Sequence, residues 1–345
     1  LGAAGPGGAW RPEAYVDVEA PALATTTVLV EDSLPERIDV ELALPGGDLV
    51  DPAAPPALSV QADYLFGAPG ADLAVDGSVT ITPTAELPGW AGYSFGRFDE
   101  RVEPQRRTFP SGLRTDATGA ATVPLPLARL ALAARPYQAT TTVTVSDGSS
   151  RPVERTLTRT LRPSATVVGI RPAFDGPLPE GAEAGFDMVL VNPDLTAARG
   201  DLTWRVDRVE TRYQWYAVDG RWYWEPITDR RRVAEGTAAT DAGPVRVSVP
   251  VDWGRYELRV VGSGRAPASA SLQFSAGWAS ADTTRETPDL LAVSLDATSY
   301  APGDVARLRV DATEPGVALV AVLTDRVVDL RLVEVDRDEV AALPG

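Results

Sequence analysis

Residues 92–96, Gly-Tyr-Ser-Phe-Gly, have the Gly-x-Ser-x-Gly spacing of a nucleophile elbow, in which a serine on a sharp strand-to-helix turn attacks a carbonyl. That chemistry needs a histidine to take the proton of Ser94, and the chain contains none. Cysteine is absent too, and all 32 basic residues are arginine. These gaps remove thiolate nucleophiles, disulfides, Cys-type zinc sites, Schiff bases and the phosphate-loop lysine. Carboxylate chemistry is left, as a glycosidase-like acid pair or a calcium site of oxygen ligands. No spacing singles out an acid pair. Asp72, Asp76, Asp194, Asp219, Asp241 and Asp304 mostly stand beside Gly or Pro, where a carboxylate bonds its own backbone in a turn, and no calcium-loop spacing appears. The reading therefore assigns no catalytic, cofactor-binding or metal-ligating residue, and the chain is expected not to be an enzyme.

Binding chemistry concentrates at residues 213–226, YQWYAVDGRWYWEP, where two aromatic runs flank Asp219-Gly220. This reads as a β-hairpin with a tight primed turn. Alternation puts Tyr213, Trp215 and Ala217 on one face of the first strand, Gln214 and Tyr216 on the other, and Trp222 with Trp224 on one face of the second. Cross-strand aromatic pairs stabilise a hairpin by roughly 0.2–1 kcal/mol each, so packing alone accounts for them. Burial of Trp215, Trp222 and Trp224 is the expectation. The competing reading, a polysaccharide-binding or adhesin module, requires exposed rings. Arg230-Arg231-Arg232 is read as a solvated loop, which is also where a trypsin-like protease would cut.

A net charge of −16 argues against nucleic acid, because phosphate binding needs clustered cations. No apolar run approaches the 18 residues of a membrane span. The chain starts at Leu1, and Met188 is its only methionine, so it is expected to be a piece of a longer polypeptide. Its 345 residues suit two or three domains. The 30 Gly and 30 Pro, spread without period, suit short strands joined by turns.

Strand signals run throughout. Residues 25–31 are β-branched; Ile38, Val40, Leu42 and Leu44 alternate with polar or small residues; further strands are read at 58–66, 78–82 after an Asp76-Gly77 turn, 137–145 and 151–161. Residues 89–107 read as a long loop or an excursion across a sandwich face, and 127–134, LARLALAA, as one or two helical turns. Three alternating openings with Pro/Gly/acid turns near Pro45, Pro179 and Pro302 lie about 120–135 residues apart, which indicates tandem all-β sandwiches. The expected division is a linker or the last strand of a preceding domain at 1–36, sandwiches at 37–162 and 163–285, and a partial sandwich at 286–345.

Several blocks carry a resemblance: PERI at 35–38, ADYLFGAP at 62–69, GYSF at 92–95, residues 115–127, VGIRP at 168–172, LVNPD at 190–194, the YQWY and WEP halves of the hairpin, VDWGRY at 251–256 and YAPGD at 300–304. Over roughly residues 25–335 the chain resembles the bacterial α2-macroglobulin family. The resemblance implies macroglobulin-like, fibronectin-like seven-stranded antiparallel sandwiches in series, as scaffold of a broad-range protease inhibitor. In that family a protease cuts a bait segment and is trapped by rearrangement. The family setting is the periplasm or cell envelope, often with a lipid anchor. Partners implied are proteases, other domains of the same polypeptide and a peptidoglycan synthase. Many members add a Cys-x-Glu-Gln thioester, which this chain lacks. The segment from about Leu291 resembles the start of the bait-bearing domain.

Overall fold

The computed structural model describes residues 8–17, 22–30, 37–148, 152–263, 267–277, 292–296, 299–301, 303–311, 316–323, 325–335 and 339–344. The described residues form strands and turns without a helix. An N-terminal ribbon pairs Gly8–Trp10 with Val28–Val30 and Glu13–Ala14 with Ala24–Thr25. The connector at 31–36 lies outside the described residues.

The first sandwich faces a six-stranded sheet against a three-stranded one. In the larger sheet the order is Gln105–Thr108, Ala74–Pro83, Tyr137–Ser146, Val153–Leu161 and Leu49–Val50, with Leu113–Arg114 also on Ala74–Pro83; the smaller runs Ala120–Val123, Leu58–Tyr64, Ile38–Ala43. Period-two alternation explains the layers: Ile38, Val40, Leu58, Val60, Val143 and Val145 turn inward and are buried, with polar neighbours outward. Each such side chain contributes roughly 1.5–3 kcal/mol by leaving water.

Two local expectations fail here. Asp76-Gly77 is no turn but lies inside the strand Ala74–Pro83. The glycine is there for space, since a Cβ at position 77 would come within 2.2 Å of the Thr142 carbonyl oxygen and 2.6 Å of the Phe109 ring. Residues 127–134 form no helix either. Leu125 and Leu127 are buried in the first core beside Pro124 and Pro126, and the chain then turns at Arg129, where φ is +57°.

The second sandwich stacks a five-stranded sheet on a four-stranded one. The first has the order Ala197–Ala198, Ala182–Val191, Val167–Pro172, Ser94–Phe95, with Val245–Val251 on the other part of Ala182–Val191; the second runs Arg221–Thr240, Gly200–Val218, Gly254–Gly262, Ser269–Ala276. Its core gathers Ile170, Phe186, Met188, Leu202, Val206, Tyr256 and Leu258. Phe274 meets Phe186 edge-on and stacks on Tyr256, with centroids 5.1 and 5.3 Å apart.

A third unit has the sheet Ala292–Leu295, Val305–Asp311, Glu339–Pro344 and the hairpin Gly316–Leu323, Val327–Val335. Among its described residues Leu308, Val310, Ala318 and Val335 form a small buried cluster. The outer hairpin face exposes Leu319, Leu330 and Leu332.

Candidate functional site

Two aromatic segments stand out. The first is the excursion at 84–101, which leaves the first sandwich and enters the second. Ser94–Phe95 pairs antiparallel with Gly169–Ile170 and so becomes the edge strand of the five-stranded sheet. Immediately afterwards the carbonyl of Gly96 accepts the N–H of Ser271 at 3.1 Å, and the Phe98 N–H donates to the Ser271 hydroxyl at 3.3 Å. Ser271 lies on the edge of the opposite sheet. A strap from the first sandwich thus closes the open seam between the two sheets of the second.

Side chains fix the strap. Phe95 is buried in a cluster with Leu87, Tyr93, Val167, Val189 and Val191. Gly169 has no side chain because the Phe95 ring occupies the space, 2.7 Å from where a Cβ would stand. The Trp90 indole N–H donates to the Leu195 carbonyl at 3.0 Å, and Trp90 meets Tyr93 edge-on. Arg171 lies 4.8 Å over the Tyr93 ring. Burial pushes the Tyr93 hydroxyl above its usual range.

Behind Arg171 sits Asp187, a buried carboxylate gripped by Arg246 at 2.7 and 2.8 Å and by Arg171 at 2.8 Å. The hydrogen bonds from Arg246, and then from Arg171, outweigh the cost of burial and hold its pKa down at about 2. Asp187 therefore orients the guanidinium that covers Tyr93. The Gly-x-Ser-x-Gly match is accounted for by this geometry. Its glycines have φ near +79° and +77°, Ser94 points outward and Phe95 inward, and no helix follows. It is a strand crossing between domains, not an elbow.

The second segment is the hairpin. Gly200–Val218 and Arg221–Thr240 pair along their length, closing at Asp219 and Gly220 with φ of +51° and +75°, the primed turn that matches strand twist. Gly254–Gly262 supports the first strand only from Leu202 to Val209. Among the described residues the remaining nine cross-strand pairs, Glu210↔Asp229 to Val218↔Arg221, have no third strand. They form an arm about 30 Å long.

Register sorts its faces: Trp222 opposes Ala217 and Trp224 opposes Trp215, whereas Tyr216 opposes Tyr223 on the reverse side with rings 5.9 Å apart. The expected burial of Trp222 and Trp224 is overturned. Trp222 is 70% exposed and Trp224 37%, joined by Tyr216, Val218 and Tyr223; the side chain of Trp215 lies outside the described residues. The alternating pattern is that of a packed strand, but the strands that would cover it end at Val209. The arginine run is no loop: Arg230, Arg231 and Arg232 belong to the strand Arg221–Thr240 at the arm's foot.

Charge connects arm and strap. Arg230 bonds Glu257 at 3.1 Å, Glu257 bonds Arg259 at 2.9 Å, Arg259 reaches Asp99 at 3.3 Å, and Asp99 is held by Arg97 at 2.7 Å. Glu257, 1% exposed, is tolerable only because two arginines face it. At the foot, the Trp253 ring meets the guanidinium of Arg208 at 5.7 Å and that of Arg309 of the third unit at 4.5 Å, and Arg309 also pairs with Glu180 at 3.3 Å.

The aspartates singled out in the sequence stay dispersed. Asp194 and Asp304 accept backbone N–H groups in turns; Asp72 pairs with Arg114, Asp241 with Arg199, and Asp219 shapes the arm's tip. Phe95 and Asp187 carried no signal that sequence reasoning could use. A two-residue strand has no period, and the partners of Asp187 are 16 and 59 residues away.

These features describe mainly antiparallel β-sandwiches in series, the fold of macroglobulin-like domains, here with one sandwich completed by a segment of its predecessor. Residues 36–163 match the family described as the bacterial alpha-2-macroglobulin MG5 domain and 169–278 the bacterial macroglobulin domain 6, so the chain belongs to the bacterial alpha-2-macroglobulin family. The alpha-2-macroglobulin of Xylella fastidiosa (strain Temecula1) is 29% identical over 98% of this chain and 21% of its own length; that of Escherichia coli (strain K12) is 28% identical over 83% and 18%. The chain thus spans about a fifth of the length of the curated relatives it matches. In fold it is similar to the native conformation of E. coli alpha-2-macroglobulin, with a TM-score of 0.59 and 22% identity over 100% of this chain and 23% of that one. It is also similar to Salmonella alpha-2-macroglobulin reacted with methylamine, with a TM-score of 0.58 and 24% identity over 98% and 22%. Among the described residues no helix is long and apolar enough to cross a membrane.

Proposed function

We propose that this chain is a scaffold segment of a broad-range protease inhibitor of the bacterial periplasm or cell envelope, in which bait cleavage is followed by conformational trapping of the attacking protease. The carrying observation is the strap, which unites the segments matching MG5 and MG6 through a shared sheet and a shared core cluster. A trap that changes shape needs parts that do not, and a strand shared between sandwiches supplies one. One solved relative, E. coli alpha-2-macroglobulin, is described as activated by porcine elastase, which gives the proposed partner class. In this reading 37–162 and 163–285 are complete domains, 1–36 joins them to what precedes, and 286–345 opens the bait-bearing domain; a lipid anchor and a peptidoglycan synthase partner belong to the same proposal.

The test uses the intact parent protein mixed with trypsin. The expected result is cleavage at one discrete region, after which trypsin still hydrolyses a small chromogenic peptide but is shielded from a large protein substrate. Diffuse cleavage with full activity on the large substrate overturns the reading. A second reading, a polysaccharide-binding envelope module, draws on the exposure of Trp222. It requires glycan binding that is lost in Trp222→Ala.

A further inference from the structure

The arm carries aromatic side chains on both faces, tryptophans on one and the stacked Tyr216–Tyr223 pair on the other, with Arg221 at the tip. A flat platform for a sugar chain uses a single face and would leave the other ring set in water. A two-faced arm is accounted for by a cleft that closes on both sides. Trp, Tyr and Arg are also the residue types that dominate protein–protein hot spots. A two-stranded ribbon nine pairs long is marginal in water, so burial on both faces would stabilise the arm itself.

The molecule indicates whose cleft this is. Its strap is the same kind of object, an aromatic segment that leaves one domain, and Trp90, Tyr93 and Phe95 would all stand exposed if the second sandwich were removed. The second domain has already received such a segment from its predecessor. The arm's foot also adjoins an existing interdomain contact: Arg208, which lies on the Tyr216 side of the arm by alternation, sits over the Trp253 ring, and Arg309 of the third unit sits over the same ring.

We propose that residues 214–225 are an interdomain plug, inserted by both faces into an apolar cleft of a further domain of the same polypeptide. This rests on the reading of the chain as a segment of a longer inhibitor, but not on that inhibitor's trapping step.

The experiment uses the full-length parent protein with benzoylphenylalanine replacing Trp222, irradiated and peptide-mapped, beside hydrogen exchange of the parent. Expected are cross-links within one polypeptide to residues outside 1–345, and exchange at 214–225 at least about tenfold slower than at the exposed Gly46-Gly47 turn. The double variant Trp222→Ser/Tyr223→Ser, at exposed positions that leave the sandwich cores intact, is expected to erase that protection. Cross-links to a separate protein or to glycan overturn the proposal, and so does exchange at 214–225 as fast as at the turn. The trypsin-shielding assay on the same preparation reads the inhibitor function separately, so loss of shielding with cross-links retained counts against that function and not against the plug.

Discussion

The strap and the arm are built from similar residues. One carries Trp90, Tyr93, Phe95 and Phe98 among glycines and charges, the other Tyr213 to Trp224 around Asp219-Gly220. Their environments are opposite. Phe95 and Tyr93 are buried, whereas Trp222 and Tyr223 face solvent. Hydrophobicity does not separate them, and neither does strand propensity. What differs is the supply of neighbouring strands: the strap lies between two sheet edges that both need a partner, and the arm runs past the point where its last partner stops, at Val209. Aromatic content therefore marks a surface meant to be covered, while topology decides whether this chain supplies the cover.

If that contrast is right, substitutions in the strap should cost far more than equivalent ones in the arm. Phe95→Ala should destabilise the second sandwich by about 3–5 kcal/mol, read as a shifted urea midpoint, because it opens a cavity shared by two domains. A midpoint within about 0.5 kcal/mol of wild type would break the comparison. Gly169→Ala should cost about 1–3 kcal/mol by driving a methyl group against the Phe95 ring. Combining it with Phe95→Leu should cost less than the sum of the single changes, a coupling that a double-mutant cycle measures.

Asp187 gives the strap a pH dependence. Its pKa of about 2 in the folded chain lies below the unfolded value of 3.8, so its contribution is fully present above about pH 4 and is lost as pH falls toward 2. After allowing for screening of the exposed Arg246, roughly 1–2 kcal/mol should disappear across that window, and Asp187→Asn should remove this part of the slope in acid titrations followed by tryptophan fluorescence. The smallest effect belongs to the arm: Trp222→Ala in the 345-residue chain should change stability by no more than about 0.5 kcal/mol. A loss comparable to that of Phe95→Ala would show that the arm is packed against this chain after all.

The sandwiches were legible because their inner faces obey a period of two. Ile38 and Val40 point inward with Asp39 and Glu41 outward, and Tyr137–Ser146 alternates through all ten positions. The primed turn at Asp219-Gly220 was legible from residue type alone. Features that depend on distant partners were not. Gly77 has the composition of a turn and sits in a strand where the Thr142 carbonyl and the Phe109 ring leave no room for a Cβ, and the LARLALAA stretch offers helix formers to a segment flanked by prolines that turns at Arg129 instead. The two-residue strand of the strap is too short to show a period, and its partners lie far along the chain. Exposure of the arm tryptophans was misjudged for the same reason, since alternation reports which residues share a face and not whether anything lies against it.

The contact between Phe98 and Ser271 joins residues 173 positions apart. A ribosome adding about 5–20 residues per second needs roughly 10–35 s to cover that distance, while sandwiches of this size close their sheets within milliseconds to seconds. During synthesis the first sandwich is therefore finished long before the surface that receives Trp90, Tyr93 and Phe95 exists, and those rings wait in water. Arg97, Asp99, Glu100 and Arg101 follow them at once, a run of charges placed where a nascent apolar segment most needs to be kept from its neighbours.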